Sequence, residues 1–448
     1  MTHKTHIRIG AGAGYSGDLI PPAVALAENG NLDYLVFECL AERTIALAQL
    51  EKLTDPQKGY DPLLEDRIKA VLPICNKKGI KIISNMGAAN PIAAAERIIE
   101  LAKELSIEKL NVIAITGDDV LEAIYSNEYQ LLESKQPLAT IKNQLISANA
   151  YLGLNPIVTA LKQGADIVIT GRFADPALFM APLFYEFEWD YNNPELLGKA
   201  TAMGHLLECA GQVCGGYFND AHLKKVPQPE SIGFPLAEVN KEGAIVITKI
   251  KGSGGMITKS TCKEQLLYEI HDPKNYFTPD VIADFSNISF KECSTDHIQI
   301  IGATGKTKTK KLKVSIGYRD GFIGEGQMSY GGYQAQERAQ LALEIIKRQL
   351  EELGLSKYES TYELIGCNAL SKDQDAKTPL EVRLRVALRT RTRAEALLVG
   401  KQIEALYTNG PAAGGGAFKS VRELIAIQSI LIDERIPTIQ YSLKTIPQ

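Results

Sequence analysis

The chain has 448 residues, 45% hydrophobic and 23% charged, enough apolar mass for folded cores and a balance that excludes disordered, collagen-like and coiled-coil chains. At roughly 100 to 200 residues per domain, the length predicts two large domains as the most economical division. Its 49 Lys and Arg against 53 Asp and Glu leave a net charge of −4, so no global field draws it to nucleic acid and any bound anion must be held locally.

In chain order, IRIG (7 to 10), DYLVFE (33 to 38), IKIIS (80 to 84), NVIAIT (111 to 116) and DIVIT (166 to 170) are short, apolar and β-branched. Each is followed by a polar or Gly turn, the pattern of parallel strands buried on both faces. Between them lie the helical patterns 41 to 53, 91 to 105 and 138 to 154. Strand and helix alternation predicts an α/β domain with a doubly wound, mainly parallel sheet over residues 1–228. The Pro- and Gly-rich stretch 224 to 243 reads as a domain boundary. Beyond it, strands are expected at 244 to 250, 297 to 303, 311 to 318, 361 to 367 and 381 to 390, with helices near 334 to 353, 393 to 406 and 419 to 432. Residues 240–448 are therefore expected to form a strand-rich α+β domain.

The first strand runs into Gly12-Ala-Gly14-Tyr15-Ser-Gly17-Asp18, which fits G-x-G-x-x-G, and Glu38 ends the second strand 38 − 17 = 21 residues later. Alone, that spacing points to a dinucleotide. Pro21 and Pro22, however, delay the helix start to between Asp18 and Pro21, away from where a pyrophosphate needs it. A generic Gly-rich turn is the competing reading.

The strand ends supply further polar groups: Asp18, Glu38, Asn85 and Asn90, Asp118 and Asp119, then Arg172 and Asp175. Carboxyl ends of parallel strands share one edge, where open α/β sheets bind ligands, although Asp and Asn there also cap helices. Arg172 offers a planar fork for a carboxylate or phosphate, with Asp175 to orient it. On a helix spanning 200 to 213, His205, Glu208, Cys209 and Gln212 fall at i, i+3, i+4 and i+7, hence on one face. A His and Glu pair is the simplest apparatus for proton transfer near neutral pH; a structural, satisfied His is the alternative.

In EVRLRVALRTR, Arg383, Arg385, Arg389 and Arg391 form a row along one face of a strand, suited either to coenzyme A phosphates or to pairing with acids in solvent. Two Gly-rich loops, at Gly254 and Gly255 and at Gly414, Gly415 and Gly416, offer backbone amides that would cradle a phosphate, carboxylate or enolate. Neither has P-loop spacing, and a tight turn is the alternative for each.

No run approaches a membrane span and the start lacks a signal-peptide pattern, which predicts a cytoplasmic protein with no membrane partner. Seven scattered Cys without C-x-x-C, and only six His, predict reduced thiols and no metal site.

The strings GAGYSGD, YLVFECLAERTIALAQ, SNMGAANP, TGRFADPALFMAPL, GHLLECAGQVCGGYF, LLYEIHDPKNYFTPDV, GYRDGFIGEGQMSY and EALYTNGPAAGGGAF, in that order, together resemble the acyclic terpene utilisation family of AtuA-like proteins over nearly the whole chain. Some relatives carry an additional small C-terminal domain, which this sequence lacks, so an activity needing it would require a separate small partner protein. The resemblance implies catabolism in which intermediates travel as coenzyme A thioesters; it assigns no catalytic residues.

Resemblance and residues together lead to an enzyme of acyl-CoA or branched carboxylate catabolism, a hydratase, lyase or isomerase that stabilises an enolate. It needs no cofactor beyond coenzyme A as part of the substrate, and it is expected to be a homo-oligomer. His205, Glu208, Asp175 and Arg172 are the catalytic candidates. Gly12, Gly14, Tyr15, Asp18, Glu38, Asn85, Asn90 and the two Gly-rich loops are the substrate-binding candidates. The alternatives are a nicotinamide-dependent oxidoreductase and a non-catalytic subunit or scaffold.

Overall fold

The structure, a computed structural model, describes residues 4–125, 128–370 and 379–447. From the N-terminus come β1 (His6–Ala13), α1 (Pro21–Asn29), β2 (Tyr34–Phe37), α2 (Glu42–Thr54), α3 (Leu64–Lys78), β3 (Lys81–Ser84), α4 (Pro91–Glu104), β4 (Leu110–Thr116) and α5 (Leu121–Tyr125). Next are β5 (Leu145–Ala150), α6 (Asn155–Lys162), β6 (Ile167–Thr170), α7 (Asp175–Glu186) and α8 (Pro194–Leu207). There follow β7 (Pro235–Asn240), β8 (Ile245–Lys249), α9 (Lys259–Leu267), β9 (Tyr276–Phe277), β10 (Ile282–Asp284), β11 (Ser289–Ser294), β12 (His297–Ile301) and β13 (Thr304–Lys306). The last elements are β14 (Lys311–Gly331), α10 (Ala335–Glu352), β15 (Ser360–Ile365), β16 (Glu381–Thr390), α11 (Arg393–Asn409), β17 (Gly414–Asp433) and β18 (Gln440–Ile446).

Ten strands form one mixed sheet in the order β11-β12-β8-β7-β1-β2-β3-β6-β4-β18. Its centre, from β1 to β4, is parallel, and every residue of β2 and β6 is buried. That is why these strands read as unbroken apolar runs. The flanks are antiparallel: β7 lies against β1 with Gly10 opposite Leu236, and β18 against β4 with Thr116 opposite Gln440.

The contacts divide the chain into two units, one containing residues up to Gly317 and from Ile427 onward, the other Tyr318–Ala426. This departs from the expected division at 228 and 240. β7, β8, β11 and β12 extend the sheet begun by β1, because the free edge of β1 must find a hydrogen-bonding partner. Their apolar faces, at Leu236, Ile247 and Ile298, join the same core as Ile9 and Val36.

The unit Tyr318–Ala426 has its own core, which includes Tyr330, Ile346, Leu384 and Ile403. Its strand order β15-β16-β14-β17, with α10 after β14 and α11 after β16, is the βαββαβ ferredoxin-like arrangement.

Two expected helices are absent. Residues 138 to 144 form a 3₁₀ turn that leads into β5, which pairs with β14. Residues 419 to 432 lie in β17, where Ile430 and Ile432 are buried at strand spacing. The helix expected over 200 to 213 ends at Leu207, so Gln212 belongs to a separate 3₁₀ turn and not to the face that carries His205.

Candidate functional site

The edge formed by the ends of β1, β2, β3 and β6 carries most of the polar groups singled out in the sequence. Glu38 directly follows β2, and its Oε1 accepts from the Leu40 amide at 3.1 Å and from Asn85 Nδ2 at 2.8 Å. Asn85, directly after β3, also accepts from the Cys39 amide at 2.7 Å. One buried amide side chain thus locks the ends of two adjacent strands together and fixes Glu38.

Two residues beyond β6 stands Arg172, 2% exposed. Its Nη1 donates to Asp175 Oδ1 at 2.9 Å and to the Leu40 carbonyl, and lies 4.0 Å from Glu38 Oε1. The guanidinium sits 4.0 Å from the ring centroid of Tyr151, whose hydroxyl donates to Glu42 at the start of α2. Its Nε is buried without a partner. Arg172 is also anchored through its backbone, since its amide donates to Asp118 Oδ2 at 2.8 Å, and Asp118 in turn accepts from Asn149 at 2.9 Å.

Asp175 opens α7, where unpaired helix amides favour a negative charge. The end of α8 lies over this point. A Cβ on Gly204 would stand 2.7 Å from Pro176 Cα, so only glycine permits the close approach that brings His205 to the start of α7.

His205 is 1% exposed, and its Nδ1 is 2.6 Å from Glu208 Oε1. Its ring packs against Tyr276 and Phe285, with centroids at 5.6 and 5.9 Å. Gln265 of α9 donates to the His205 carbonyl at 3.1 Å. Both His205 Nε2 and Glu208 Oε2 are buried without a hydrogen bond of ordinary geometry, and the Leu266 carbonyl also bears on the His205 ring and favours its protonated form. With Glu208 accepting from Nδ1–H, the Nε2 lone pair is the basic atom.

The electrostatics favour retained protons. Burial pushes the Glu38 carboxyl well above the usual range; the negative charge of Asp175 adds to this, and Arg172 opposes it. Burial also raises Asp175, against the pull of Arg172. Burial pushes Glu208 up to about 7, partly offset by His205. For His205, burial works against the charged ring, but Glu208, with the Leu266 backbone and Glu269, outweighs it and the net direction is upward. Glu42 moves the other way: burial would raise it, yet Arg172, the Tyr151 hydroxyl and Lys313 bring it down to about 2. The influence of Asp175 on both Glu38 and Glu208 makes these carboxyls one electrostatic cluster. The site therefore combines a fixed cation, a firmly ionised acid and three carboxyls that burial holds above their ordinary values, the condition for acid and base roles in one place.

Other sequence candidates stand apart from this cluster. Gly12 lies in β1. A Cβ on Gly14 would fall 2.5 Å from the Cys209 carbonyl carbon, so its open side is filled by the turn after α8. The Gly14 amide donates to Asp18 Oδ2 at 2.8 Å. The carbonyls of Tyr15, Ser16 and Asp18 face Arg67 Nη2. An acid thus occupies the place a pyrophosphate oxygen would take, and α1 begins only at Pro21. Tyr15 is 61% exposed. Asn90 is a helix cap, with Oδ1 toward the Ala93 amide and Nδ2 toward the carbonyls of Pro56 and Lys58.

The amides of Gly254 and Gly255 are spent on the carbonyls of Ser231 and Pro227, which removes the expected cradle. Gly414, Gly415 and Gly416 begin β17 in the Tyr318–Ala426 unit and do not open a helix. In that unit Arg385 pairs with Glu325 and Glu363, and Arg389 with Asp320 and Glu359, so this part of the arginine row faces acids.

Sequence reasoning passed over Glu42, Tyr151, Tyr276 and Gln265. Glu42 and Tyr276 carried only the faint signal of lying in strings behind the family resemblance; Tyr151 and Gln265 reach the site through tertiary packing. Among the described residues, no group of three or more His, Cys, Asp or Glu is placed to hold a metal ion, and no helix is long and apolar enough to cross a membrane.

The profile of the acyclic terpene utilisation family protein AtuA matches residues 7–442. No curated protein matches. Among solved structures, the de novo designed protein Ferredog-Diesel aligns with 23% of this chain and 88% of its own at 21% identity, with a TM-score of 0.16, which carries no argument.

Proposed function

Because the chain belongs to the acyclic terpene utilisation family, we propose that it is an enzyme of acyl-CoA or branched carboxylate catabolism, a hydratase, lyase or isomerase that moves a proton at a carbon beside a carbonyl. The observation that carries this reading is the buried His205–Glu208 pair, with an unpartnered Nε2 beside the Arg172–Asp175–Glu38 cluster. Removing a proton next to a carbonyl requires a base at the carbon and a positive group at the developing oxyanion. His205 Nε2 supplies the first and the Arg172 guanidinium the second, while Glu208, pushed up to about 7 by burial, returns a proton to the substrate. Glu42, fully ionised and bonded to Tyr151, fixes the ring beneath Arg172 and takes no part in the transfer.

The test is deuterium exchange at the α-carbon of a panel of branched saturated, unsaturated and 3-hydroxy acyl-CoA thioesters in D₂O, read by mass spectrometry. Wild type should exchange or hydrate at least one of them. His205→Gln and Arg172→Met should each lower the rate by about 10²- to 10⁴-fold, the range for losing a positioned acid–base or oxyanion group. Exchange that is indifferent to both substitutions removes the site assignment. A wild type inert toward the whole panel, and active only with a second protein, favours the non-catalytic subunit.

A further inference from the structure

Beside the polar cluster lies a cavity of about 160 Å³ whose walls include Cys39, Leu40, Leu47, Ala48, Asn85 and Ala88. Glu51, which is exposed, and Tyr60 also line it, whereas its other polar side chains are already committed. Asn85 spends its oxygen on the Cys39 amide and its nitrogen on Glu38. Thr44 both accepts from and donates to the Ala41 backbone. Asp61 takes Arg67 and the Leu63 amide, with Ser16 as a further partner. Among the described residues, none of the buried polar side-chain atoms left without a partner belongs to this lining, whereas Arg172, His205 and Glu208 each hold one. The unmet buried polar atoms nearest the strand ends thus belong to the cluster and not to the cavity, whose remaining polar groups are Glu51 and Tyr60. Cys39 is 3% exposed, and burial keeps its thiol protonated, so it contributes apolar surface and no nucleophile.

Cavity and cluster share residues. Leu40 lines the cavity and its carbonyl receives Arg172, and Asn85 lines the cavity while it holds Glu38. A substrate whose carbonyl meets Arg172 therefore has an apolar recess within one residue of its reacting end. A volume of ~150 Å³ is that of a site that admits benzene, so this recess, which opens to solvent beside the exposed Leu47, has room for five or six carbons, compact and branched in preference to a long straight chain.

We propose that this cavity is the subsite for the apolar end of the substrate, selecting a compact group of five or six carbons while the polar cluster handles the carbonyl. The proposal rests on the reading of the cluster given above, but its test does not depend on turnover. The probes are 3-methylbutan-1-ol, which is branched and uncharged, and acetate, which has the polar head without the tail. They are titrated into the full-length protein with ¹³C-methyl-labelled leucine. The alcohol should saturate, with NOEs to the Leu40 and Leu47 methyls, and acetate should not displace it. Ala48→Phe, which pushes a ring into the recess, should weaken the alcohol at least about tenfold, with folding checked by circular dichroism, whereas His205→Gln should leave its binding unchanged.

Absence of saturation or of those NOEs in the wild type overturns the subsite, as does a folded Ala48→Phe protein that binds equally well. If the alcohol binds as described but Arg172→Met leaves α-proton exchange intact, the subsite stands and the proposed function of the cluster falls.

Discussion

Replacing Arg172 by Met keeps much of the aliphatic volume and removes the charge. The side chain is almost fully buried and loses three partners at once: the Asp175 carboxylate at 2.9 Å, the Leu40 carbonyl and the Tyr151 ring at 4.0 Å. Breaking a buried ion pair from one side costs about 3–5 kcal/mol, because the remaining charge is stranded. Asp175 keeps a third of its side chain exposed, so water recovers part of that, and about 2–4 kcal/mol is the expected loss at pH 8.

The loss should depend on pH in a definite direction. Glu38 and Asp175 are held above the usual carboxylate range even with the cation present. An acid whose folded pKa is raised binds its proton more tightly in the native chain, so native stability falls as pH climbs from the unfolded value through the folded one. Without Arg172 both carboxyls rise further and that fall steepens, so the deficit should be largest at pH 8 and shrink toward pH 5. Urea unfolding followed by circular dichroism at the two pH values measures it. Arg172→Met with Asp175→Asn should regain part of the loss at pH 8. A deficit equal at both pH values, or larger in acid, refutes the electrostatic account of the cluster.

Three further outcomes are expected. Asp118, buried beneath the Arg172 amide, has its carboxyl pushed up to about 6 by burial; it should cost the wild type ~3 kcal/mol of stability between pH 4 and 6.5, a slope that Asp118→Asn flattens in the same unfolding assay. Gly14→Ala drives a methyl into the Cys209 backbone and should lower stability by about 3 kcal/mol, seen as a clear drop in Tm. Titration with NAD or NADP, followed by nicotinamide fluorescence or calorimetry, should give no saturable micromolar binding, because Asp18 already occupies the Gly14 amide; saturable binding that Gly14→Ala abolishes would restore the oxidoreductase reading.

The parallel strands were legible because burial on both faces leaves runs such as YLVF and IVIT that suit nothing else. The His205–Glu208 contact was legible because three residues of spacing near a helix end bring two side chains together without help from the rest of the fold. The Arg172–Asp175 pair followed from the same local logic at a strand-to-helix turn. Tyr151 and Glu42 were invisible because they meet Arg172 only once β5 is placed, and the segment containing β5 reads as a helix. The Gly-rich loops misled for a different reason. Composition shows that amides are unobstructed, not which carbonyl will claim them, and at Gly254 and Gly255 those of Ser231 and Pro227 do. The division into units was hidden because its boundaries fall inside β14 and β17, and the glycines near the first of them, Gly317, Gly321, Gly324 and Gly326, lie within one continuous strand and not in a linker.

That continuity has a consequence for biosynthesis. The Tyr318–Ala426 unit is spliced into the chain between β4 and the strand that completes its edge. As the polypeptide leaves the ribosome, β4 therefore presents an unpaired row of amides and carbonyls until β18, made only after the inserted unit, arrives to cover it. Closure of so long a loop is slow, and an uncovered edge rich in isoleucine and valine is a template for association with other chains. Premature termination after the inserted unit would leave two well-packed cores and one open seam. Such truncated chains should form intermolecular β-structure, and a chaperone that shields strand edges should raise the yield of the full-length protein.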